Sequence, residues 1–194
     1  EDREGLKGWT VVICEKGAVC GVDVRGGGPG TRETDLLDPI NMIQKVHAVV
    51  LSGGSAFGLE STCGVSRYLE ENNIGFDVGV AKVPIVVGAV LFDLAVGNPK
   101  SRPNIDMGYK ACELASDTEL NQGNFGAGCG ATVGKIKGIE YAMKGGIGSY
   151  SIKLPNGLVV SALVAVNAFG DVYENGKVIA GTLDNGKKNI LNSY

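Results

Sequence analysis

Glycine sets the strongest limit on what this chain can fold into: 31 of its 194 residues are glycine, and they fall in clusters rather than at a fixed period. The usual share is about 7%. Clusters without a period exclude a fibrous repeat and mark tight backbone geometry between ordinary elements. Two β-rich runs, 9–14 and 18–24, flank Glu15-Lys16-Gly17, and this spacing predicts a hairpin feeding the loop Arg25-Gly26-Gly27-Gly28-Pro29-Gly30. Residues 46–51 are apolar apart from His47 and predict a buried strand running into Ser52-Gly53-Gly54-Ser55. The stretch 55–72 then reads as a helix, with Leu59, Cys63 and Leu69 spaced for one face.

A second apolar strand is expected over 84–94, a polar loop over 98–103 and a helix over 104–116. Beyond Gly123 the pattern becomes mostly β: a glycine run to Gly130, a strand over 131–136, a turn at Gly145-Gly146, and strands over 149–154 and 158–166 joined by Pro155-Asn156-Gly157. Strands and helices mix without regular βαβ spacing, which predicts an α/β fold of α+β character with helices covering sheets. No linker divides the chain, so 1–194 is read as one domain. The tail from Asp171 carries two polar turn-formers around Val178-Ile179-Ala180 and ends without a capped element, as if cut from something longer.

Composition narrows the function classes. The hydrophobic fraction is 44%, only 20% of residues are charged, and the mean hydropathy is +0.11, which describes a packed body and excludes a disordered tail. A net charge of −3 with no Lys/Arg cluster lacks the positive field that nucleic-acid binding needs. The longest apolar stretch, 83–92, contains a proline and a glycine and is too short to span a bilayer, so no membrane segment is expected. Five cysteines form no C-x-x-C pair and sit among apolar or glycine neighbours, where they read as small buried hydrophobes in a reducing, cytoplasmic setting.

The residues also exclude chemistry. The chain holds one histidine, His47, inside an apolar run, so it reads as a core residue. A two-histidine zinc site cannot form within this chain, and a Ser-His-Asp triad would have to run through His47 alone. The segment Gly130-Ala131-Thr132-Val133-Gly134-Lys135-Ile136 is one residue short of a P-loop and has Ile136 where Mg²⁺ needs a hydroxyl. No metal or cofactor is expected. What remains is Gly53-Gly54-Ser55 at a helix start, either an acceptor of an anion or carbonyl oxygen through free N–H groups or simply a tight turn. Lys135 is either surface-facing or desolvated beside apolar strand positions, with a lowered pKa. Asn167, at the end of an apolar run, is either a turn-starter or a donor to a developing oxyanion. Glu33, Asp35 and Asp93 are either contributors to the site or solvated or structural charges.

The segments GVDVRGGGPGTRETDLLDP, VVLSGGSAFGLE, VPIVVGAVLFDLAVGNPKSRPN, GNFGAGCGATVGK and MKGGIGSYS, in this order, resemble the L-aminopeptidase/D-esterase family, and the resemblance is distributed over residues 22 to about 181. Its relatives include β-aminopeptidases and the endo-type nylon-oligomer hydrolase. The resemblance implies a layered αββα sandwich with mixed sheets, similar to N-terminal-nucleophile hydrolases. It implies a precursor that cuts itself before a Ser or Thr, which then attacks an amide with its own α-amine as base, so that no histidine is needed. The nucleophile would head a second, cognate β chain just beyond Tyr194. This chain would be the larger α fragment, within a homotetramer of cleaved protomers. By the same resemblance Lys135 keeps that amine neutral, Asn167 binds the oxyanion, and Phe92 takes the place of a pocket tyrosine, keeping the ring without the hydroxyl. The implied substrate is a short peptide, a small amide or a 6-aminohexanoate oligomer. Two other readings compete: a binding module in which Gly53–Ser55 and Gly126–Gly130 cradle a small anion, and an assembly subunit without catalysis.

Overall fold

The computed structural model describes residues 2, 4–118 and 120–183. The second polar turn expected in the tail, at Asp184-Asn185-Gly186, lies outside them. In chain order the first strands are β1 (Trp9–Ala18), β2 (Thr31–Arg32) and β3 (Val46–Ser52), then the short hairpin β4 (Phe76–Asp77) and β5 (Lys82–Val83), then β6 (Val86–Val90). They build one mixed sheet of order β1-β3-β6-β2, in which β3 is antiparallel to β1 and parallel to β6. Helices α1 (Ser61–Glu71) and α2 (Ile105–Glu113) cross on one face of this sheet. This is the mixed α/β class expected from the sequence.

The continuous apolar character of β3 follows from burial on both faces. On the helix side Ala48, Val50 and Val86 pack with Val65, Leu69 and Cys112. On the other side Val46, Ile85 and Val87 are covered by Leu36, Leu37, Ile43 and Phe76 from loops and the small hairpin. His47 is a core residue as expected: its Nδ1 accepts the Ile85 N–H at 3.2 Å, and burial pushes its pKa down, so it sits neutral. Burial also raises the Cys112 thiol to about 11, leaving it inert. Among the described residues no helix is long and apolar enough to cross a membrane.

Three expected elements are corrected. The runs flanking Glu15-Lys16-Gly17 are not a hairpin: β1 passes straight through that tripeptide and pairs with β3, and its register slips between Ile13 and Ala18. Gly17, at φ 72°, makes an irregularity where a turn was expected. The helix expected over 55–72 opens as a 3₁₀ segment, Ser55–Glu60, before α1 begins. The strand expected over 131–136 shrinks to β7 (Thr132–Val133), because Gly134 turns out of extended geometry at φ 69°. By contrast α2 starts where the helix over 104–116 is expected, with Asn104 as its cap, its Oδ1 accepting the Met107 N–H at 3.0 Å.

Strand β7 pairs with β8 (Met143–Lys144), and β9 (Gly146–Lys153) with β10 (Val159–Val166) across the expected Pro155-Asn156-Gly157 turn. A last hairpin joins β11 (Val172–Glu174) to β12 (Lys177–Ala180). Between β1, α2 and the β9–β10 hairpin lies an open groove of about 1960 Å³, which the hairpin lines with Ile147, Ser149, Ser151, Ser161 and Leu163. The opposite face of the same hairpin exposes Tyr150, Ile152, Val160 and Val164.

The helix pair depends on two reciprocal glycines. A Cβ on Gly64 would lie 1.8 Å from the Ile105 carbonyl oxygen, and one on Gly108 would lie 1.9 Å from that of Ser61. Neither backbone atom can move without parting the helices. Gly64→Ala and Gly108→Ala are each expected to lower stability by about 1–3 kcal/mol, read as a lower urea midpoint; unchanged midpoints in both variants would contradict this close crossing.

Candidate active site

The parallel pair β3–β6 brings two carboxyl ends to one edge. Ser52 registers with Val90, the Leu91 N–H donates to the Ser52 carbonyl at 2.8 Å, and the Ser55 N–H returns to the Leu91 carbonyl at 2.9 Å. Gly54 and Ser55 both take positive φ, 80° and 54°, which is unusual for a serine and costs on the order of 1–3 kcal/mol. The expected free amides are not found here. Gly53 N–H donates to the Gly8 carbonyl at 2.8 Å and Gly54 N–H to Asp93 Oδ1 at 2.7 Å, so with Ser55 all three are committed to the protein. In the second glycine cluster Ala127 N–H donates to Thr10 Oγ1, Gly128 N–H to the Phe125 carbonyl and Cys129 N–H to the Gly126 carbonyl. Neither cluster offers the row of free donors that an anion cradle requires. Gly53, Gly54 and Ser55 act as a fixed turn that places Leu91, Phe92 and Asp93.

Lys135 and Asn167 are brought together by backbone pairing invisible in the sequence. Gly134 N–H donates to the Gly170 carbonyl at 2.8 Å and Lys135 N–H to the Phe169 carbonyl at 2.7 Å. This lays Gly134 and Lys135, just past β7, beside the segment 167–170 that follows β10. The Lys135 ammonium then donates to Asn167 Oδ1 at 2.8 Å, to the Thr132 carbonyl at 2.8 Å and to Thr132 Oγ1 at 3.1 Å. It forms no ion pair with any described carboxylate, and burial holds its pKa below the ordinary lysine value. The surface-facing reading of Lys135 therefore fails.

The Asn167 amide is oriented by its partners. Oδ1 accepts from Lys135 and from the Thr132 N–H at 3.0 Å, so it cannot be the nitrogen; Nδ2 donates to the Phe92 carbonyl at 3.0 Å. An amide nitrogen carries two hydrogens, and these contacts use one. The second N–H meets no acceptor among the described residues and lies next to a half-buried cation. The Phe92 ring is 65% exposed at this place, so it can form a pocket wall.

One participant escaped the sequence reading, and a second stood there only as one of two open readings. Thr132 is buried and contributes its N–H, carbonyl and hydroxyl to the Lys135–Asn167 pair; its position three residues before the lysine is the only signal it carries. Asp93, read either as a contributor to the site or as a solvated or structural charge, is 2% exposed, and its Oδ2 accepts no hydrogen bond among the described residues. Burial pushes its carboxyl above the usual range, while the Gly54 N–H and the charges of Lys7 and Lys144 pull it back. Among the described residues no cluster of His, Cys, Asp or Glu is arranged to hold a metal.

Fold and site together define a mixed α/β protein whose polar centre is a lysine–asparagine pair at the edge of a glycine-bounded sheet. The model of peptidase family S58 matches residues 3–190, and the chain belongs to this family. An uncharacterized aminopeptidase of Mycobacterium leprae is 48% identical over 174 residues, covering 86% of this chain and 46% of the relative. A 6-aminohexanoate-oligomer endohydrolase of Agromyces sp. is 30% identical over 183 residues, covering 94% of this chain and 48% of the relative. The chain thus spans about half the length of the relatives it matches. Among solved structures, a protein of Pyrococcus horikoshii aligns with a TM-score of 0.57 at 18% identity, over 88% of this chain and 43% of that one. A Burkholderia β-aminopeptidase aligns with a TM-score of 0.50 at 18% identity, over 83% and 40%. These two likenesses bear on the fold alone.

The lowered pKa of Lys135 has a signed consequence. Its folded value lies below the ordinary 10.5 of the unfolded chain. Between the two values the unfolded chain holds a proton that the folded one has released. The penalty for burying the charge is thus complete at neutral pH and is relieved as pH climbs through the folded value toward 10.5. Lys135→Met should flatten this alkaline rise in unfolding free energy relative to the parent; parallel profiles for the two proteins would refute the shift.

Proposed function

We propose that this chain is the larger fragment of a self-cleaving amide hydrolase, whose attacking hydroxyl belongs to a Thr or Ser heading a second chain cut from the same precursor. The observation that carries the reading is the one N–H of Asn167 that meets no acceptor among the described residues, held beside the Lys135 ammonium. That N–H would meet the oxygen of a substrate carbonyl as it becomes an oxyanion. A preorganised donor of this kind is worth roughly 100- to 1,000-fold in rate.

The acid–base work is assigned to the nucleophile's own α-amine, since the one histidine is locked in the sheet with its Nδ1 occupied. Lys135, a cation without a described carboxylate partner, would disfavour a second positive charge nearby and so keep that amine neutral and able to take the hydroxyl proton. The hydroxyl oxygen then bonds to the amide carbon, and the oxyanion accepts from Asn167. Collapse breaks the C–N bond, the leaving amine takes the proton back from the α-ammonium, and water releases the acyl group by the same steps. Phe92 shapes the pocket but has no hydroxyl to add a second donor. The downstream chain runs toward this place: Thr182 packs so closely on Gly134 that a Cβ there would meet its nitrogen at 2.1 Å, and Gly134 is the neighbour of Lys135.

The substrate class that fits is a short peptide or amide cleaved at its N-terminal residue, or a 6-aminohexanoate-type oligomer. The cognate chain would fill the groove beside β9–β10, and a homotetramer of cleaved protomers would cover the apolar outer face of that hairpin. Five free thiols fit a reducing, cytoplasmic compartment.

Intact-mass analysis and N-terminal sequencing of the full-length polypeptide after expression should give two components, the smaller beginning with Thr or Ser. One uncut species would overturn the proposal. In the processed enzyme, Asn167→Ala and Lys135→Ala should each reduce kcat, by on the order of 100- to 1,000-fold for Asn167, with both chains still associated.

A further inference from the structure

We propose that Asp93 is a positioning residue for this reaction: its carboxylate, wedged between Gly53 and Gly130, holds the 91–93 segment so that the Phe92 carbonyl fixes the Asn167 amide for oxyanion donation. The inference rests on the function proposed above for Asn167.

The geometry carries it as follows. The Phe92 carbonyl that accepts from Asn167 Nδ2 lies in the same rigid peptide plane as the nitrogen and Cα of Asp93. Any rotation at Asp93 therefore swings that carbonyl. The Phe92 side chain cannot resist such a rotation, because its ring is 65% exposed. Leu91 is tied on the upstream side by its bonds to Ser52 and Ser55, and the downstream anchor is Asp93 itself. Its Oδ1 accepts the Gly54 N–H at 2.7 Å, and its carbonyl accepts the Val96 N–H at 2.9 Å. Oδ2 sits where only two glycines leave room: a Cβ on Gly53 would come within 2.3 Å of it and one on Gly130 within 2.2 Å.

The site is costly to the fold. A carboxylate oxygen that is buried and accepts no hydrogen bond among the described residues destabilises the folded state. The charges facing it are those of Lys7 and Lys144, themselves committed to backbone carbonyls: Lys7 Nζ to Gly5 and Val96, Lys144 Nζ to Cys129. These cations oppose the rise that burial imposes on the carboxyl pKa and pull the group toward one seat. An apolar side chain here would leave the Gly54 N–H without its acceptor, so the carboxylate is the group that ties the 91–93 segment to the glycine turn.

The test uses the processed full-length enzyme and a double-mutant cycle. Asp93→Asn keeps the shape and removes the charge. Gly130→Ala leaves the charge and displaces it from the opposite side, so it carries the test should Asp93→Asn fail to fold. Each should lower kcat on the order of 10- to 100-fold while KM stays within about twofold. Combined with Asn167→Ala, neither should lower kcat further, because the group it positions is gone. If the penalties multiply instead, Asp93 acts independently of Asn167 and the proposal falls while the catalytic reading stands. If Asn167→Ala alone keeps full activity, the catalytic reading falls and takes this one with it.

Discussion

The parallel pairing of β3 with β6 is the constraint on which the site depends. Two strands running the same way must deliver their carboxyl ends to one edge, and in open α/β sheets that edge is where ligands are met. Here the two chains leaving the edge are stitched together at once: Leu91 to Ser52, Ser55 to Leu91, and Gly54 to Asp93. Such a seam tolerates side chains poorly. That explains why the turn is built from Gly53 and Gly54 and why a serine is held at positive φ immediately after them. The left-handed conformations are a property of the seam, and the amides they would otherwise present to a ligand are already used.

The electrostatics follow from the same crowding. Burial lowers the pKa of Lys7, Lys135 and Lys144 and raises that of Asp93. Lys7 and Lys144 face Asp93, whereas no described carboxylate pairs with Lys135, so its charge is left unbalanced. The lysines spend their hydrogens on carbonyls rather than on carboxylates, and these bonds let them remain charged at modest cost. Positive potential without a neutralising partner suits chemistry in which negative charge appears on an oxygen only in the transition state. It also suits a nearby amine that must stay unprotonated. One arrangement meets both needs, which is why a single histidine, otherwise occupied, is no obstacle to the proposed reaction.

What could be read in the sequence was whatever local chemistry fixes. The apolar run of β3, the start of α2 and the Pro155-Asn156-Gly157 turn each carry their own signal, and each lies where expected. The tripeptide Glu15-Lys16-Gly17 has the composition of a turn, yet β1 continues through it because pairing with β3 outweighs the local preference. The short β7 shows the opposite failure: the run 131–136 reads as a strand, and Gly134 ends it to reach Gly170. Lys135 and Asn167 were named by family resemblance, but their mutual contact depends on that non-local pairing and has no local signature. Asp93 was the least legible of all. An aspartate after Phe92 looks solvated until the two glycines that enclose it, 40 positions before and 37 after in the chain, are placed in space.

The site is also coupled to a part of the molecule that cannot be rigid on its own. Asn167 immediately follows β10, and β10 has β9 as its only strand neighbour among the described residues. An isolated two-stranded pair is marginal in water, and this one turns Tyr150, Ile152, Val160 and Val164 outward on one face while the other borders an open groove. The Asn167 amide is therefore fixed from one side by Lys135, Thr132 and Phe92, and left on the other to a hairpin whose order depends on what lies against it. In the proposed enzyme the cognate chain and neighbouring protomers would supply that cover. Assembly would then do more than bury apolar surface: by stiffening β10 it would set how accurately the oxyanion donor is held, making activity and association parts of one equilibrium.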